Sequence, residues 1–251
     1  MGPRYRHCGE VFCGCGRMVT ALQAQGLVGF FMDIALSSKH NVLTDTGKIT
    51  LVQYLLTVLP YGCVWFGLPC ATWVWISRGH TLRSAKRVAG DTLREDVRGA
   101  NAMVAFCCRL WDLLVLRHVY YIVEQPATSI VWKYAPFQRH VRRRPKIGTT
   151  KLHAQFLWLG HFGHLLHKAT HLVGVFPGLK SIKTKRSRAI APGKVGMFWE
   201  HASIRTEGPR MGTYRVQGVK KAGKSLSDSG KYPIKFCTFM ASLIGEAVRC
   251  R

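Results

Sequence analysis

Acidic residues are scarce in this chain. It has 12 Asp and Glu against 37 Lys and Arg among 251 residues, for a formal net charge of +25. Such an imbalance argues against a basic partner and favours a polyanion. No apolar run reaches the roughly 20 residues of a membrane-spanning helix, so we expect no membrane span. Residues 1–7 also lack the apolar core of a signal peptide.

The cysteines lack the spacing of a disulfide framework or of a metal site. There are nine, an odd number, and Cys107 and Cys108 lie in an apolar stretch. This usage predicts an intracellular, reducing compartment in which most thiols act as small core residues. Cys8, Cys13 and Cys15 lack a Cys-x-x-Cys pair and a second cluster, so we expect no zinc there.

The positive charge is concentrated in the second half of the chain. Residues 1–138 carry 14 basic and 8 acidic side chains, whereas residues 139–251 carry 23 and 4. This split predicts nucleic-acid binding, with RNA favoured over DNA. A solvated basic surface and an anionic membrane contact are the alternatives, but no amphipathic basic helix accompanies the charge. The candidate nucleic-acid-binding residues are Arg78, Arg83, Lys86, Arg87, Arg142, Arg143, Arg144, Lys146, Lys183, Lys185, Arg186, Arg188, Lys220, Lys221 and Lys224.

Strand-like and helix-like patterns alternate along the chain. This order predicts an α/β fold with a doubly wound, mostly parallel, Rossmann-like sheet. The predicted strands span residues 9–12, 29–34, 64–66 and 120–123, and the predicted helices span 18–25, 50–59 and 91–116. Residues 152–159 and 171–176 are predicted to form an antiparallel pair at the sheet edge. We expect an α/β domain over 1–178, a basic nucleic-acid-contacting insertion over 179–230, and over 231–251 a helix that packs back on the domain.

Two short motifs stand where such a fold places its chemistry. The run from Glu10 to Gly16, EVFCGCG, predicts a strand, a glycine turn and a helix, which lets the backbone approach a nucleotide-like cofactor. The run from Gly67 to Cys70, GLPC, delivers a Pro-Cys pair to the carboxyl end of a strand, where open α/β sheets bind ligands.

Together with Asp33 and Glu124, each at the end of a predicted strand, these motifs resemble those of the cytosine-C5 DNA methyltransferases. The resemblance covers roughly residues 8–135 and 230–250, where Tyr232-Pro233 is similar to the family's closing segment. It implies that Cys70 attacks C6 of the base and that Glu124 contacts the ring. The residues it implies for S-adenosylmethionine are Phe12, Gly14, Gly16 and Asp33.

Physical chemistry allows these roles and also plainer ones. A thiolate near positive charge adds readily to a cytosine ring, and the cations at 78, 83, 86 and 87 are expected to lower the pKa of Cys70. Glu124 can pair with the ring when protonated or suitably hydrogen-bonded. The plainer alternatives are a buried structural thiol for Cys70 and a loop-bracing carboxylate for Glu124.

The chain also departs from the family pattern. Arg17 stands where the family has a third small residue, and its cation would oppose the sulfonium of the cofactor. Glu124-Gln125-Pro126 replaces Glu-Asn-Val, and there is no Gln-x-Arg-x-Arg strand. We therefore expect weakened or lost catalysis and no bound cofactor.

The sequence predicts a basic RNA-binding component of a ribonucleoprotein, with a mitochondrial ribosome as the expected setting and neighbouring proteins of the ribonucleoprotein as further partners. One alternative is an active S-adenosylmethionine-dependent cytosine-C5 methyltransferase acting on DNA or RNA. Another is a free nucleic-acid-binding protein of a mobile element or of chromatin. The histidines at 161, 164, 167 and 171 suggest a metal site on a helix, but the glycines among them favour a turn, so we expect no metal.

Overall fold

The computed structural model describes residues 5–164, 167–186 and 231–250. Its strands are β1 Arg6–Val11, β2 Gly29–Met32, β3 Val58–Gly67, β4 Tyr120–Pro126, β5 Lys146–Ile147, β6 Thr150–Lys151, β7 His153–Trp158 and β8 Ala169–Val175. Its helices are α1 Arg17–Ala24, α2 Asp45–Leu56, α3 Arg78–Thr81, α4 Glu95–Leu116, α5 Ala135–Arg142 and α6 Ile234–Arg249. The candidates Arg188, Lys220, Lys221 and Lys224 lie outside the described residues.

The main sheet has six strands in the order β2-β1-β3-β4-β8-β7. Strands β1 to β4 are parallel, and β8 is antiparallel to both of its neighbours. The fold is therefore α/β with a mixed, mostly parallel sheet, consistent with a Rossmann-like fold, and the antiparallel pair at the edge is confirmed. Strand order reverses between β1 and β3, and ligands of open α/β sheets bind outside the carboxyl ends of strands at such a point.

Strand β3 begins at Val58, six residues before the predicted start at residue 64. Helix α2 starts after Thr44, whose hydroxyl accepts from the Gly47 amide at 3.1 Å, and ends at Leu56 rather than near Pro60. The strand then starts at Val58, and its register against β1 shifts before Cys63. Pro60 falls within this irregularity, which suits a residue that has no amide to donate to a neighbouring strand.

Helix α4 covers one face of the sheet. The helix begins at Glu95, later than the predicted start at residue 91, and in the preceding turn the Asp91 carboxylate accepts from the Leu93 amide at 3.3 Å. Val104 and Trp111 are buried, and the Trp111 ring stacks on Tyr121 of β4 at 5.9 Å. By length and composition α4 is also the one helix among the described residues that could cross a membrane, a test that core helices often pass.

The C-terminal helix α6 packs on the sheet. Phe236 of α6 meets Trp65 of β3 edge to face at 5.8 Å, and Arg249 donates to the Gln25 carbonyl oxygen at 3.0 Å. The packed domain also extends past residue 178. Ile182 is fully buried, and its carbonyl oxygen accepts from the Gln155 side chain at 2.8 Å.

Candidate functional site

The glycine turn after β1 brings the four predicted cofactor residues together. Gly14 and Gly16 both have positive φ angles, 53° and 67°, a conformation that glycine adopts at low cost. Phe12 precedes them and shares this left-handed conformation. The Gly14 amide donates to one oxygen of Asp33 at 2.9 Å, and the Ala35 amide donates to the other at 2.8 Å.

The cavity beside this turn is small. It measures about 160 Å³, and Gly14, Gly16 and Phe31 contribute to its lining. Pockets for small organic ligands usually measure roughly 300–1,000 Å³. Arg17, the first residue of α1, donates to the Tyr232 carbonyl oxygen at 2.7 Å, which fixes a cation next to the turn. The described part of this cavity is therefore smaller than the pockets that usually hold small organic ligands.

Glu10 is a buried acid that sequence reasoning did not single out. It is fully buried at the end of β1, and its Oε2 accepts from the Val19 amide of α1 at 2.9 Å. Its Oε1 has no hydrogen-bond partner among the described residues. Burial raises the pKa of Glu10 from 4.5 to about 8, against the opposing effect of the amide hydrogen bond. In the sequence, Glu10 stands directly before the apolar pair Val11-Phe12 and the glycine turn.

Glu124 lies at the carboxyl end of β4, paired in register with Gly67 of β3. The Tyr232 hydroxyl donates to its Oε2 at 2.9 Å and accepts from Trp65 Nε1 at 3.2 Å. A Cβ at Gly67 would lie 2.8 Å from that hydroxyl, so this close approach requires glycine. Glu124 is 5% exposed, and its Oε1 has no partner among the described residues. Burial raises the pKa of this carboxyl.

Cys70 shares this environment, and its pKa is shifted opposite to the expectation. Burial raises the pKa of the Cys70 thiol, and the nearby Glu124 charge raises it further. The expectation that the cations at 78, 83, 86 and 87 lower it is wrong, because the cation whose field reaches the thiol is Lys168. Lys168 Nζ lies 5.9 Å from the centre of the Tyr232 ring. We use the name edge cluster for four side chains near the carboxyl ends of the central strands β3 and β4, namely Cys70, Glu124, Lys168 and Tyr232.

Gln125 holds the Pro-Cys loop in place. Its Nε2 donates to the Leu68 carbonyl oxygen at 2.5 Å, and its Oε1 accepts from the Ser129 hydroxyl at 2.9 Å. Gln125 is fully buried. The residue that departs from the family motif therefore positions the segment that carries Cys70.

Arg83 is an interior residue and not part of a phosphate-binding surface. It is 2% exposed, and its guanidinium lies 3.5 Å from the centre of the Trp73 ring. It donates to the carbonyl oxygens of Val88 at 2.7 Å and Val97 at 3.4 Å. A buried cation with these contacts cannot reach a nucleic acid, so Arg83 is withdrawn from the candidates. Trp73 is likewise core, 1% exposed.

The other described basic candidates are exposed. Arg78, Lys86 and Arg87 lie on the surface between β3 and α4, and Arg87 donates to the Gly90 carbonyl oxygen at 3.0 Å. A second exposed group lies around the end of α5 and on β5 and consists of Arg142, Arg143, Arg144 and Lys146. A third lies after β8 and consists of Lys183, Lys185 and Arg186.

The first histidine of the run, His161, lies in a turn. Residues Leu159–Phe162 make a short 3-10 turn between β7 and β8, and Gly163 ends it with a φ of 86°. Within the described ranges, no group of three His, Cys, Asp or Glu side chains could hold a metal ion. His171 lies on β8, where burial lowers its pKa.

Comparison with known proteins adds no assignment. No protein-family model matches the chain, and no curated protein matches it in sequence. Function must therefore be inferred from the chemistry of the edge cluster, the glycine turn and the exposed basic residues.

Proposed function

We propose that this protein binds nucleic acid, RNA in preference to DNA, through the basic surface of an α/β domain that resembles the cytosine-C5 methyltransferases. The observation that carries the proposal is the basic surface at the end of α5. Residues 139–151 contain six basic and no acidic residues. Arg142, Arg144 and Lys146 are exposed there, where they can contact phosphates.

The glycine turn supports a binding role over a cofactor-dependent one. Its cavity is about 160 Å³, both oxygens of Asp33 already accept backbone amides, and Arg17 is anchored beside it. The Cys70 thiol has a raised pKa, which keeps it protonated near neutral pH and makes it a weak nucleophile. We propose a ribonucleoprotein as the setting, specifically a mitochondrial ribosome, because basic segments on a compact domain suit contact with folded RNA.

Binding of a labelled oligoribonucleotide at a series of salt concentrations tests the main proposal. We expect affinity to fall steeply with salt, with a log-log slope of about −0.7 to −0.9 for each phosphate contacted. Affinity should depend little on base sequence, because phosphate contacts position a protein without reading bases. A protein that fails to bind at low salt, or binds without salt dependence, would refute the proposal.

Calorimetry with S-adenosylmethionine tests the cofactor part separately. We expect weak or no binding to the unaltered chain, and improved binding after Arg17→Gly, which removes the cation and opens space beside the turn. Low-micromolar binding by the unaltered protein would contradict the loss of cofactor binding.

A second candidate function is cytosine-C5 methyl transfer, and the edge cluster specifically favours it. Glu124 Oε1 is a buried oxygen without a partner among the described residues, at the same edge as the Cys70 thiol. A flipped-out base that entered there would meet both groups, in the roles that the resemblance implies. An oligonucleotide with 5-fluorocytosine should then form a covalent adduct, with cofactor present, that Cys70→Ser abolishes. No adduct is expected if binding alone persists.

A further inference from the structure

A separate cavity lies between α4 and α5 and shares no residue with the edge cluster or the glycine turn. Its volume is about 290 Å³. Arg109 and Asp112 line it from α4, and Arg139, His140 and Arg143 line it from the end of α5. Arg143 directly follows α5 and lies about one helical turn after Arg139, so both side chains reach the cavity.

The charges in this α4–α5 cavity do not cancel. Arg143 donates to Asp112, which neutralises one guanidinium. Burial lowers the pKa of His140, which keeps its ring neutral near pH 7. Within the described part of the chain, no hydrogen bond or ion pair engages Arg109 or Arg139. The cavity therefore carries about two uncompensated positive charges.

The floor of the cavity, formed by Asp112 and His140, is held in place by hydrogen bonds that lead to Tyr121. His140 Nδ1 lies 2.8 Å from Asp112 Oδ1, and His140 Nε2 lies 2.5 Å from the Tyr121 hydroxyl. Tyr121 belongs to β4 and is 1% exposed, and His140 is 2% exposed. Asp112 is thereby fixed to the sheet, and it in turn orients Arg143. The Arg143 guanidinium is thus positioned before a ligand binds.

We propose that the α4–α5 cavity binds a phosphate group through the guanidinium groups of Arg109, Arg139 and Arg143. Guanidinium forks donate paired hydrogen bonds to phosphate oxygens, and arginine is favoured where such planar recognition occurs. The volume admits a phosphate with its first ester neighbours but lies at the low end for larger ligands. The source of the phosphate, a nucleic-acid backbone rather than a free anion, is the one part that rests on the proposed function.

Two titrations on one pair of variants test this site. Arg109→Gln combined with Arg139→Gln removes two exposed guanidinium groups and leaves the buried floor intact. Arg98→Gln combined with Lys133→Gln removes the same charge from exposed positions outside the cavity and serves as the control. Calorimetry with inorganic phosphate measures the site, and anisotropy with a labelled oligoribonucleotide measures its use by RNA.

We expect the cavity variant to weaken inorganic phosphate binding about tenfold and the control variant less than about twofold, since only the former loses charge-assisted hydrogen bonds. If the ligand is a backbone phosphate, the cavity variant should also make the oligonucleotide salt slope shallower by about one. Loss of phosphate binding with unchanged oligonucleotide affinity would keep the site and assign it to a free phosphate. A parent protein that binds phosphate but no RNA would refute only the proposed function. Equal phosphate binding by parent and cavity variant would overturn the site.

Discussion

The edge cluster and the surface around the α4–α5 cavity, which we call the α4–α5 flank, differ in how far their charged groups are buried. At the edge, Glu124 is buried with an unpartnered oxygen, and burial shifts its pKa and that of Cys70 toward the neutral forms. On the flank, Arg109 and Arg139 are exposed, and the only carboxylate lining their cavity already binds Arg143. The edge is therefore suited to a neutral, planar group such as a base, and the flank to a charged one such as a phosphate.

The largest expected effect concerns Glu10, which is buried near the carboxyl end of β1. We expect its ionisation to make the free energy of unfolding depend on pH. Its folded pKa of about 8 exceeds its unfolded value of 4.5, so the folded state binds more protons between these values and stability falls as pH rises. Between pH 6 and pH 9 the parent should lose about 2–3 kcal/mol more than Glu10→Gln, because each pKa unit corresponds to about 1.4 kcal/mol. Urea unfolding at both pH values measures this, with the exposed Glu95→Gln as control. Parallel pH profiles for parent and Glu10→Gln would show that Glu10 ionises freely.

The Tyr232 hydroxyl should contribute the next largest effect. Tyr232→Phe leaves Glu124 without its donor and Trp65 Nε1 without its acceptor. Buried polar groups left unsatisfied cost roughly 1–3 kcal/mol each, so we expect a loss of about 2 kcal/mol in the free energy of unfolding. Tyr54→Phe is the matched control, because no described hydrogen bond uses that hydroxyl. Equal stabilities for the two variants would mean that water reaches the edge cluster.

The flank should respond in binding and not in stability. Replacing Arg142, Arg144 and Lys146 with Gln removes three exposed cations near the end of α5. We expect oligoribonucleotide affinity at about 0.1 M salt to fall roughly tenfold and the salt slope to become shallower by about two. The control replaces exposed Lys39, Arg98 and Lys133 and lowers the net charge equally. The same loss in both variants would indicate attraction by overall charge, without a defined surface.

The smallest expected effect tests whether charge tunes the Cys70 thiol. Lys168 lowers and Glu124 raises the pKa of Cys70, so Lys168→Gln should slow alkylation by iodoacetamide and Glu124→Gln should accelerate it, each about threefold at pH 8. Mass spectrometry reports the rate at each cysteine, and exposed Cys15 and Cys250 provide internal controls. Rates that shift in the same direction in both variants would show that access governs reactivity.

Local patterns predicted most of the sheet, because buried parallel strands read as apolar runs, as Tyr120 to Val123 do. They missed α5, whose start is marked in the sequence only by Pro136 in its first turn. They also treated Arg83 as a surface cation. Its burial depends on Trp73 and on two carbonyl oxygens of the following segment, contacts that residue type and local pattern do not reveal.

For the candidate site too, local patterns indicated the ends of neighbouring parallel strands but not the contacts made by distant segments. The structure brings the strand ends that carry Cys70 and Glu124 together, because β3 and β4 are parallel neighbours and their carboxyl ends meet. Lys168 was missed because it precedes an antiparallel strand, and nothing near it in the sequence indicates that β8 brings it beside β4. Long-range placement of this kind requires knowledge of the strand order.

The anchoring of Tyr232 has a consequence for the order of folding. Its backbone oxygen accepts from Arg17, 215 positions earlier, and its hydroxyl joins Trp65 and Glu124 across separations of 167 and 108 positions. Contacts this distant close late, since a long intervening chain must first be ordered. During synthesis, strands β1 to β4 emerge long before this tyrosine does, and until then the carboxyl of Glu124 faces water and can ionise. The edge cluster therefore becomes buried as one of the last steps of maturation, and a chain stalled before residue 232 would carry the Pro-Cys loop without the environment that raises the pKa of its thiol.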